Sequence, residues 1–207
     1  MTNVEKILAG AGPDVAPMLL GSVLSRTSEG REVSIRITEV EAYFGSRDPG
    51  SHAFKGRTTR NAVMFGPAGR LYVYFTYGIH HCTNIVCGPN GTATAVLLRG
   101  GEVLTGLETA RERRRHPVQE RTLARGPANF AQALGLDLSH NGLAVSGPEV
   151  VLSLPEVPVP SSSISTGPRV GVNGEGGSTE YPWRFWITGE PTVSAYRAAS
   201  SRNRSKQ

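Results

Sequence analysis

Glu39 and Glu41 stand two positions apart in the stretch ITEVEAYFG. On a strand this spacing puts both carboxylates on one face, while Ile37, Val40 and Ala42 around them are apolar. A carboxylate left unpaired beside a core holds its proton more tightly, and carboxylates tuned in that way serve general acid–base catalysis. Two of them suit cleavage of a glycosidic bond through an oxocarbenium-like centre. Spacing by itself favours a plainer arrangement, in which both face solvent or pair with arginines.

A second group is aromatic. RLYVYFTYGIHHCTN, Arg70 to Asn84, holds Tyr72, Tyr74, Phe75 and Tyr77 within six positions. Leu71, Val73 and Phe75 alternate with Tyr72, Tyr74 and Thr76, so one face of the strand suits a core and the other carries tyrosines. Taken singly, Tyr43, His52, Tyr74 and Tyr77 are ordinary packing or loop residues. Together, beside a candidate catalytic glutamate, they are what a pocket for a nucleobase needs. His80, His81, Cys82 and Cys87 are close in sequence but match no structural zinc spacing, so no metal site is expected. RERRRH, Arg111 to His116, can grip phosphates or form the solvated end of a helix.

The elements that must position these groups read as a mixed α/β (α+β) domain. AGPDVAPMLLGSVLSR predicts a short helix starting after Pro13 or Asp14, packing Val15, Met18 and Leu19 and broken at Gly21. Strands follow at Ser22 to Arg26 and at REVSIRITEVEAY, then a polar loop from Gly45 to about Arg60. The tyrosine stretch and ATAVLLRG read as further strands, and TNIVCG leads into the turn PNG, a hairpin signal. GEVLTGLETARERRR gives the clearest helical spacing, with Val103, Leu104, Leu107 and Ala110 on one face. PANFAQALG predicts a short helix with Pro127 in its first turn and Gly135 at its end. LPEVPVPSSSISTG, Leu154 to Gly167, reads as a connection, and YPWRFWITG as a final strand. Strands and helices do not alternate regularly, so the sheet meanders and is not doubly wound.

Composition sets the outer bounds. The 207 residues suit one domain, and 38% hydrophobic with 19% charged residues is a globular balance. The formal charge is +5, and only Lys6, Lys55 and Lys206 among the 22 basic residues are lysines, the other 19 being arginines. An arginine-rich basic chain suits a polyanionic partner. MTNVEKILAG lacks the features of a signal peptide, no segment has the length of a membrane span, and two cysteines are too few for a secreted disulfide scaffold. An intracellular protein is expected.

TEVEAYFG, SHAFKGRTTRN, MFGPAGRLYVYFTYGIHHCTN, AVLLRG, RGPANFAQALGL and RVGVN resemble, in order and spacing, the alkyladenine (3-methyladenine) DNA glycosylase family, over roughly Val15 to Ser194. The resemblance implies one glycosylase domain over residues 1–197, with a curved, mainly antiparallel sheet, flanking helices and a protruding, DNA-intercalating β-hairpin, before a flexible basic tail at 198–207. It implies a cofactor-free monomer that binds double-stranded DNA, flips out an alkylated or deaminated purine and hydrolyses its N-glycosidic bond. The abasic site left behind would pass to downstream repair enzymes. By the same resemblance Glu41 is the general base, Arg99 its partner in holding the attacking water, and the backbone carbonyl of Val170 the third water contact. Tyr43, His52 and Tyr74 clasp the base, Leu97 belongs to the same pocket, and Asn84 limits entry of normal guanine. Tyr77 enters the duplex, with Ile79 beside it.

Some positions depart from the family pattern. Thr59 stands where a proline precedes the RN pair, and Ile79 and His80 replace larger or more flexible neighbours of the wedge. Lysine scarcity independently favours water over an enzyme amine as nucleophile, with Lys55 the one lysine near the candidate site. Two rival functions fit parts of the pattern: a damaged-DNA-binding protein without catalysis, and a carbohydrate glycosidase using Glu39 and Glu41, against which the basic composition speaks.

Overall fold

The structure is a computed structural model describing residues 2–76, 78–114 and 117–199. Its longest strand, β2 (Arg31–Phe44), organises one curled antiparallel sheet. β1 (Val23–Ser28) pairs with the first part of β2, and β5 (Thr94–Thr105) runs along its other edge. β9 (Arg184–Ile187) joins at Glu39–Glu41, where β1 has ended. Beyond β5 lie β4 (His80–Cys87) and β3 (Leu71–Thr76), and beyond β1 lies β7 (Val150–Ser153). β6 (Ala124–Arg125) adds to β5, and β8 (Ile164–Gly167) to β9.

Four short helices accompany the sheet among the described residues. α1 (Asn3–Leu8) starts in a capping box, with the Glu5 N–H donating to Thr2 Oγ1 and the Thr2 N–H to the Glu5 carboxylate. α2 (Gly12–Met18) and α4 (Pro127–Leu134) pack on the central strands, and α3 (Leu107–Glu112) links β5 to α4. The main core unites Leu19, Leu24, Ile35, Ile37, Val40, Val96, Leu98, Phe130 and Leu134, all at most 0% exposed. Each such side chain contributes roughly 1.5–3 kcal/mol on burial. Met64, Tyr72, Val86 and Ala95 form a smaller cluster. Ile85 and Val86 are neighbours on β4 but belong to different clusters, so this part of the sheet is covered on both faces.

Two irregularities decide what the sheet presents. Pairing of β2 with β5 runs from Ile37–Gly101 to Glu39–Gly100 and then to Val40–Leu98, which leaves Thr38 and Arg99 as bulged residues. A bulge inverts the alternation of faces beyond it. Ile35 and Ile37 therefore point into the core, whereas Glu39 and Glu41, at the same odd positions further along, point away from it, and Val40 and Ala42 take over the core face.

Several expectations need correction. Residues 101–105 continue β5 instead of opening a helix, because Val103 and Thr105 pair with Ile35 and Ser34 of β2. Gly106, with φ 72, turns the chain before α3 begins. Leu104 is consequently 49% exposed. α2 begins at Gly12, ahead of Pro13, and Met18 is 51% exposed rather than packed. Phe75 is 43% exposed, so only Leu71 and Val73 of its face enter the core. The connection from Leu154 to Gly167 ends in a strand, β8, which forms through pairing with β9. The PNG hairpin between β4 and β5, the helix ended by Gly135 (φ 70) and the final strand are present as expected.

Candidate active site

In the register of the sheet Tyr72 lies opposite Asn84, Asn84 opposite Leu97, and Leu97 opposite Glu41. One row thus crosses four strands, with its side chains on one face. Tyr74 and Tyr43 stand two residues further along β3 and β2 on that face. A pocket of about 410 Å³ opens over the row, within the size range of small-molecule sites. Glu41, Tyr43, His52, Tyr74, Asn84, Leu97, Arg99 and Val170 all line it.

The two glutamates are both fully buried and both paired, but differently. Glu39 Oε1 accepts from Arg99 Nε at 3.1 Å, Arg184 Nε at 2.7 Å and Ser194 Oγ at 2.8 Å, and Oε2 accepts from the Ser194 N–H at 2.7 Å. With four donors, three on Oε1 and one on Oε2, Glu39 is heavily engaged by its neighbours. Glu41 Oε1 accepts from the Val170 N–H at 2.7 Å and lies 3.3 Å from Arg99 Nη1, and Oε2 accepts from the Tyr43 hydroxyl at 2.8 Å. One acceptor position of Glu41 has no protein donor among the described residues, and this carboxylate, unlike Glu39, lines the pocket. Burial opposes the charge of Arg99, but Glu41 and Glu39 outweigh it and hold its pKa above the ordinary value. Burial first, and the Glu41 charge second, push the Tyr43 hydroxyl well above the usual tyrosine range, so it remains a donor.

Aromatic rings form the walls. Tyr74 stacks on Tyr72 at 5.4 Å, and His52 meets Tyr74 edge-on at 4.7 Å. His52 comes from the loop after β2, which Asn61 pins by donating to the carbonyls of His52 and Gly56 at 3.0 Å each. Its Nδ1 lies 3.3 Å from the Tyr72 hydroxyl. Burial, and then Arg60, lower the His52 pKa, which favours the neutral ring. Behind Tyr43 sits Arg169, 4.6 Å from the ring centroid. Arg169 is fully buried and clasps the equally buried Asp48 through two bonds of 2.6 Å. Because Val170 follows Arg169, this pair also fixes the N–H that reaches Glu41.

Asn84 is 4% exposed, and its Nδ2 donates to the Tyr72 carbonyl at 3.0 Å. Tyr77 lies outside the described residues. Ile79, in the same β3–β4 connection, is 69% exposed and lines a different cavity of about 800 Å³, not the pocket. Lys55 is exposed and does not line the pocket. Within RERRRH, Arg111 pairs with Glu108 and Glu120, and Arg113 and Arg114 donate to the carbonyls of Ala133 and Leu123; Arg115 and His116 lie outside the described residues. Among the described residues no group of three His, Cys, Asp or Glu side chains is placed to hold a metal ion, and no helix is long and apolar enough to cross a membrane. Sequence reasoning missed Tyr72 as a wall, and missed Asp48, Arg169, Arg184 and Ser194. Tyr72 was visible on the tyrosine face, but the others bond across 121 to 155 residues of chain and leave no local pattern.

Residues 7–191 match the methylpurine-DNA glycosylase family. The chain belongs to that family. It is 54% identical over 193 residues to a protein of Streptomyces avermitilis, covering 92% of this chain and 90% of the relative. It is 51% identical to a protein of Leifsonia xyli (89% and 87% covered) and 50% identical to one of Corynebacterium glutamicum (88% and 92%). Each relative is provisionally named a 3-methyladenine DNA glycosylase. Membership sets this chain among the DNA glycosylases, enzymes that hydrolyse an N-glycosidic bond.

Proposed function

We propose that this methylpurine-DNA glycosylase family member is a monofunctional enzyme. It takes an alkylated or deaminated purine out of duplex DNA and hydrolyses its N-glycosidic bond with a water activated by Glu41. The supporting observation is the Glu41 carboxylate, buried at an aromatic pocket that it lines, held by Arg99, Tyr43 and the Val170 N–H, and left with one acceptor position that no described protein group fills. In the step itself the water oxygen bonds to C1′ of the sugar, the C1′–N9 bond breaks with its electron pair leaving on the base, and the water proton passes to Glu41. Arg99 keeps the carboxylate ionised and oriented, and the Val170 carbonyl gives the water its third contact.

Tyr43, His52 and Tyr74 clasp the base, and Leu97 and Asn84 bound it, with Asn84 set against the exocyclic amino group of guanine. Purines alkylated on a ring nitrogen are cations, which a desolvated tyrosine face attracts by about 2 kcal/mol. A neutral His52 adds no opposing charge. Flipping takes a few kcal/mol of stacking and pairing, offset by these contacts and by Tyr77, with Ile79 beside it, filling the gap in the duplex. Residues 1–197 act as one domain and as a monomer. The four donors on Glu39, and its absence from the pocket lining, weigh against a two-carboxylate carbohydrate glycosidase.

The test is base release from duplexes carrying one 3-methyladenine, 7-methylguanine or hypoxanthine, by the parent and by Glu41→Gln. Release by the parent and none by the variant is expected, with no protein–DNA adduct trapped by borohydride. Binding without release from any duplex would replace this function with damage sensing. A trapped adduct would replace water with an amine.

A further inference from the structure

We propose that the C-terminal segment 192–197 is a clamp on the catalytic arginine, and that Ser194 is the positioning residue through which it acts. The role of Arg99 in holding the Glu41 carboxylate for catalysis rests on the function proposed above; the clamp itself rests on geometry. Ser194 uses every polar group it has on this site. Its N–H donates to Glu39 Oε2 at 2.7 Å and its carbonyl accepts from Arg184 Nη2 at 2.7 Å. Its hydroxyl donates to Glu39 Oε1 at 2.8 Å while accepting from Arg99 Nη2 at 3.2 Å. One hydroxyl can do both at once. The Arg99 guanidinium is thereby held at three points, by Glu39 on Nε, Ser194 on Nη2 and Glu41 on Nη1, which fixes both its plane and its reach.

The rest of the segment is tied down to the same elements. The hydroxyls of Thr192 and Thr38 are 2.8 Å apart, so the segment is bonded to one bulged residue by Thr192 and to the other, Arg99, by Ser194. Arg125 Nε donates to the Val193 carbonyl at 2.8 Å, and the Gly171 N–H donates to the Arg197 carbonyl at 3.0 Å, one residue from the N–H that holds Glu41. The segment therefore bridges the two flanks of the catalytic carboxylate. It passes so close to β5 that a Cβ on Gly100 would stand 2.9 Å from the Thr192 carbonyl oxygen and 3.1 Å from Glu39 Oε2. Position 100 must lack a side chain for the clamp to close beside Arg99. Ser194 lies beyond residues 7–191, the span that matches the family.

A bulged arginine has no cross-strand neighbour of its own to set its side chain. Glu39 supplies the counter-charge, and Ser194 converts that charge into a direction. Removing the hydroxyl leaves Glu39 and Arg99 paired but lets the guanidinium swing about its Nε contact, so the loss falls on the chemical step and not on substrate binding.

The experiment uses the full chain with Ser194→Ala and Ser194→Thr. Hydrogen exchange of the Arg99 Nη2 hydrogens, which Ser194 Oγ accepts from, followed by nitrogen-edited NMR without DNA, tests the clamp whatever the substrate. Single-turnover base release at saturating enzyme, DNA affinity and thermal melting are measured alongside. For Ser194→Ala we expect exchange and release to change by about tenfold, faster and slower respectively, while affinity stays within about twofold. Ser194→Thr, which keeps the hydroxyl, restores both. Unchanged exchange in Ser194→Ala overturns the clamp. So does a loss of release that tracks a loss of affinity or melting temperature, or one that threonine does not restore, since Ser194 would then be merely structural. Altered exchange in Ser194→Ala with no base release by the parent on any duplex would leave the clamp standing and overturn the glycosylase function instead.

Discussion

Asp48 and Arg169 form the most completely buried ion pair described in this chain, with side chains 0% exposed on both partners. Asp48→Ala removes two bonds of 2.6 Å to Arg169 and two to the backbone, from the Phe44 N–H at 3.1 Å and the Gly50 N–H at 2.8 Å. Arg169 would keep only neutral acceptors, the carbonyls of Ala42 and Gly176. Stranding one charge of a buried pair costs about 3–5 kcal/mol, a large part of the roughly 5–15 kcal/mol that holds a typical domain folded. At about 2–4 °C per kcal/mol for a chain of this length, the melting temperature should fall by roughly 6–20 °C. Urea unfolding with linear extrapolation gives the free energy, and circular dichroism gives the melt. The control is Arg31→Ala. Arg31 pairs with Glu112 at 2.7 Å, almost the same distance, but with side chains 51% and 63% exposed. Its loss should amount to no more than about 1 kcal/mol. If Asp48→Ala loses as little as Arg31→Ala, burial is not what gives the Asp48–Arg169 pair its weight, and the support it lends to Tyr43 and Val170 falls with it.

Tyr43→Phe keeps the ring that lines the pocket but removes the hydroxyl that donates to Glu41 Oε2 at 2.8 Å. A hydrogen bond to a charged group is worth about 1.5–3 kcal/mol, so single-turnover release should slow roughly 10- to 150-fold with DNA affinity unchanged; an equal loss of affinity would mean that Tyr43 serves binding alone. His52 has a lowered pKa in the folded chain, by burial and then by Arg60, so the unfolded chain takes up this proton first as pH falls. Stability should therefore decline from about pH 6.5 down towards the folded-state value and be unaffected above that window. Urea unfolding at pH 7.5 and pH 5.5 should show a smaller acid loss in His52→Gln than in the parent, and equal losses would refute the assignment.

Elements were legible where a local signal and the tertiary structure agree. Pro127 and Gly135 bracket α4 because one suits a first turn and the other adopts the left-handed conformation that ends it. They were illegible where a distant partner overrode the local signal. Val103, Leu104, Leu107 and Ala110 have helical spacing, but the first half of β2 needs a neighbour, and Val103 and Thr105 supply it across about seventy residues. Ile164–Gly167 becomes a strand only because β9 lies beside it. No window of contiguous sequence contains either fact.

The same distinction separates the two glutamates. Spacing correctly put Glu39 and Glu41 on one face, and the plainer expectation that both pair with arginines also holds. Nothing in ITEVEAYFG says which holds more donors. That depends on Arg184 and Ser194, 145 and 155 residues away, converging on Glu39 and leaving Glu41 with fewer donors. Nor does the local sequence reveal that Thr38 is bulged, although without the bulge the positions that follow Ile35 and Ile37 would carry two carboxylates into the hydrophobic core. The bulge lets one strand serve the core with its first half and the pocket with its second. It also explains why a stretch of apolar residues tolerates two charges: the charged positions and the apolar ones occupy opposite faces, and the phase between them changes at a single residue.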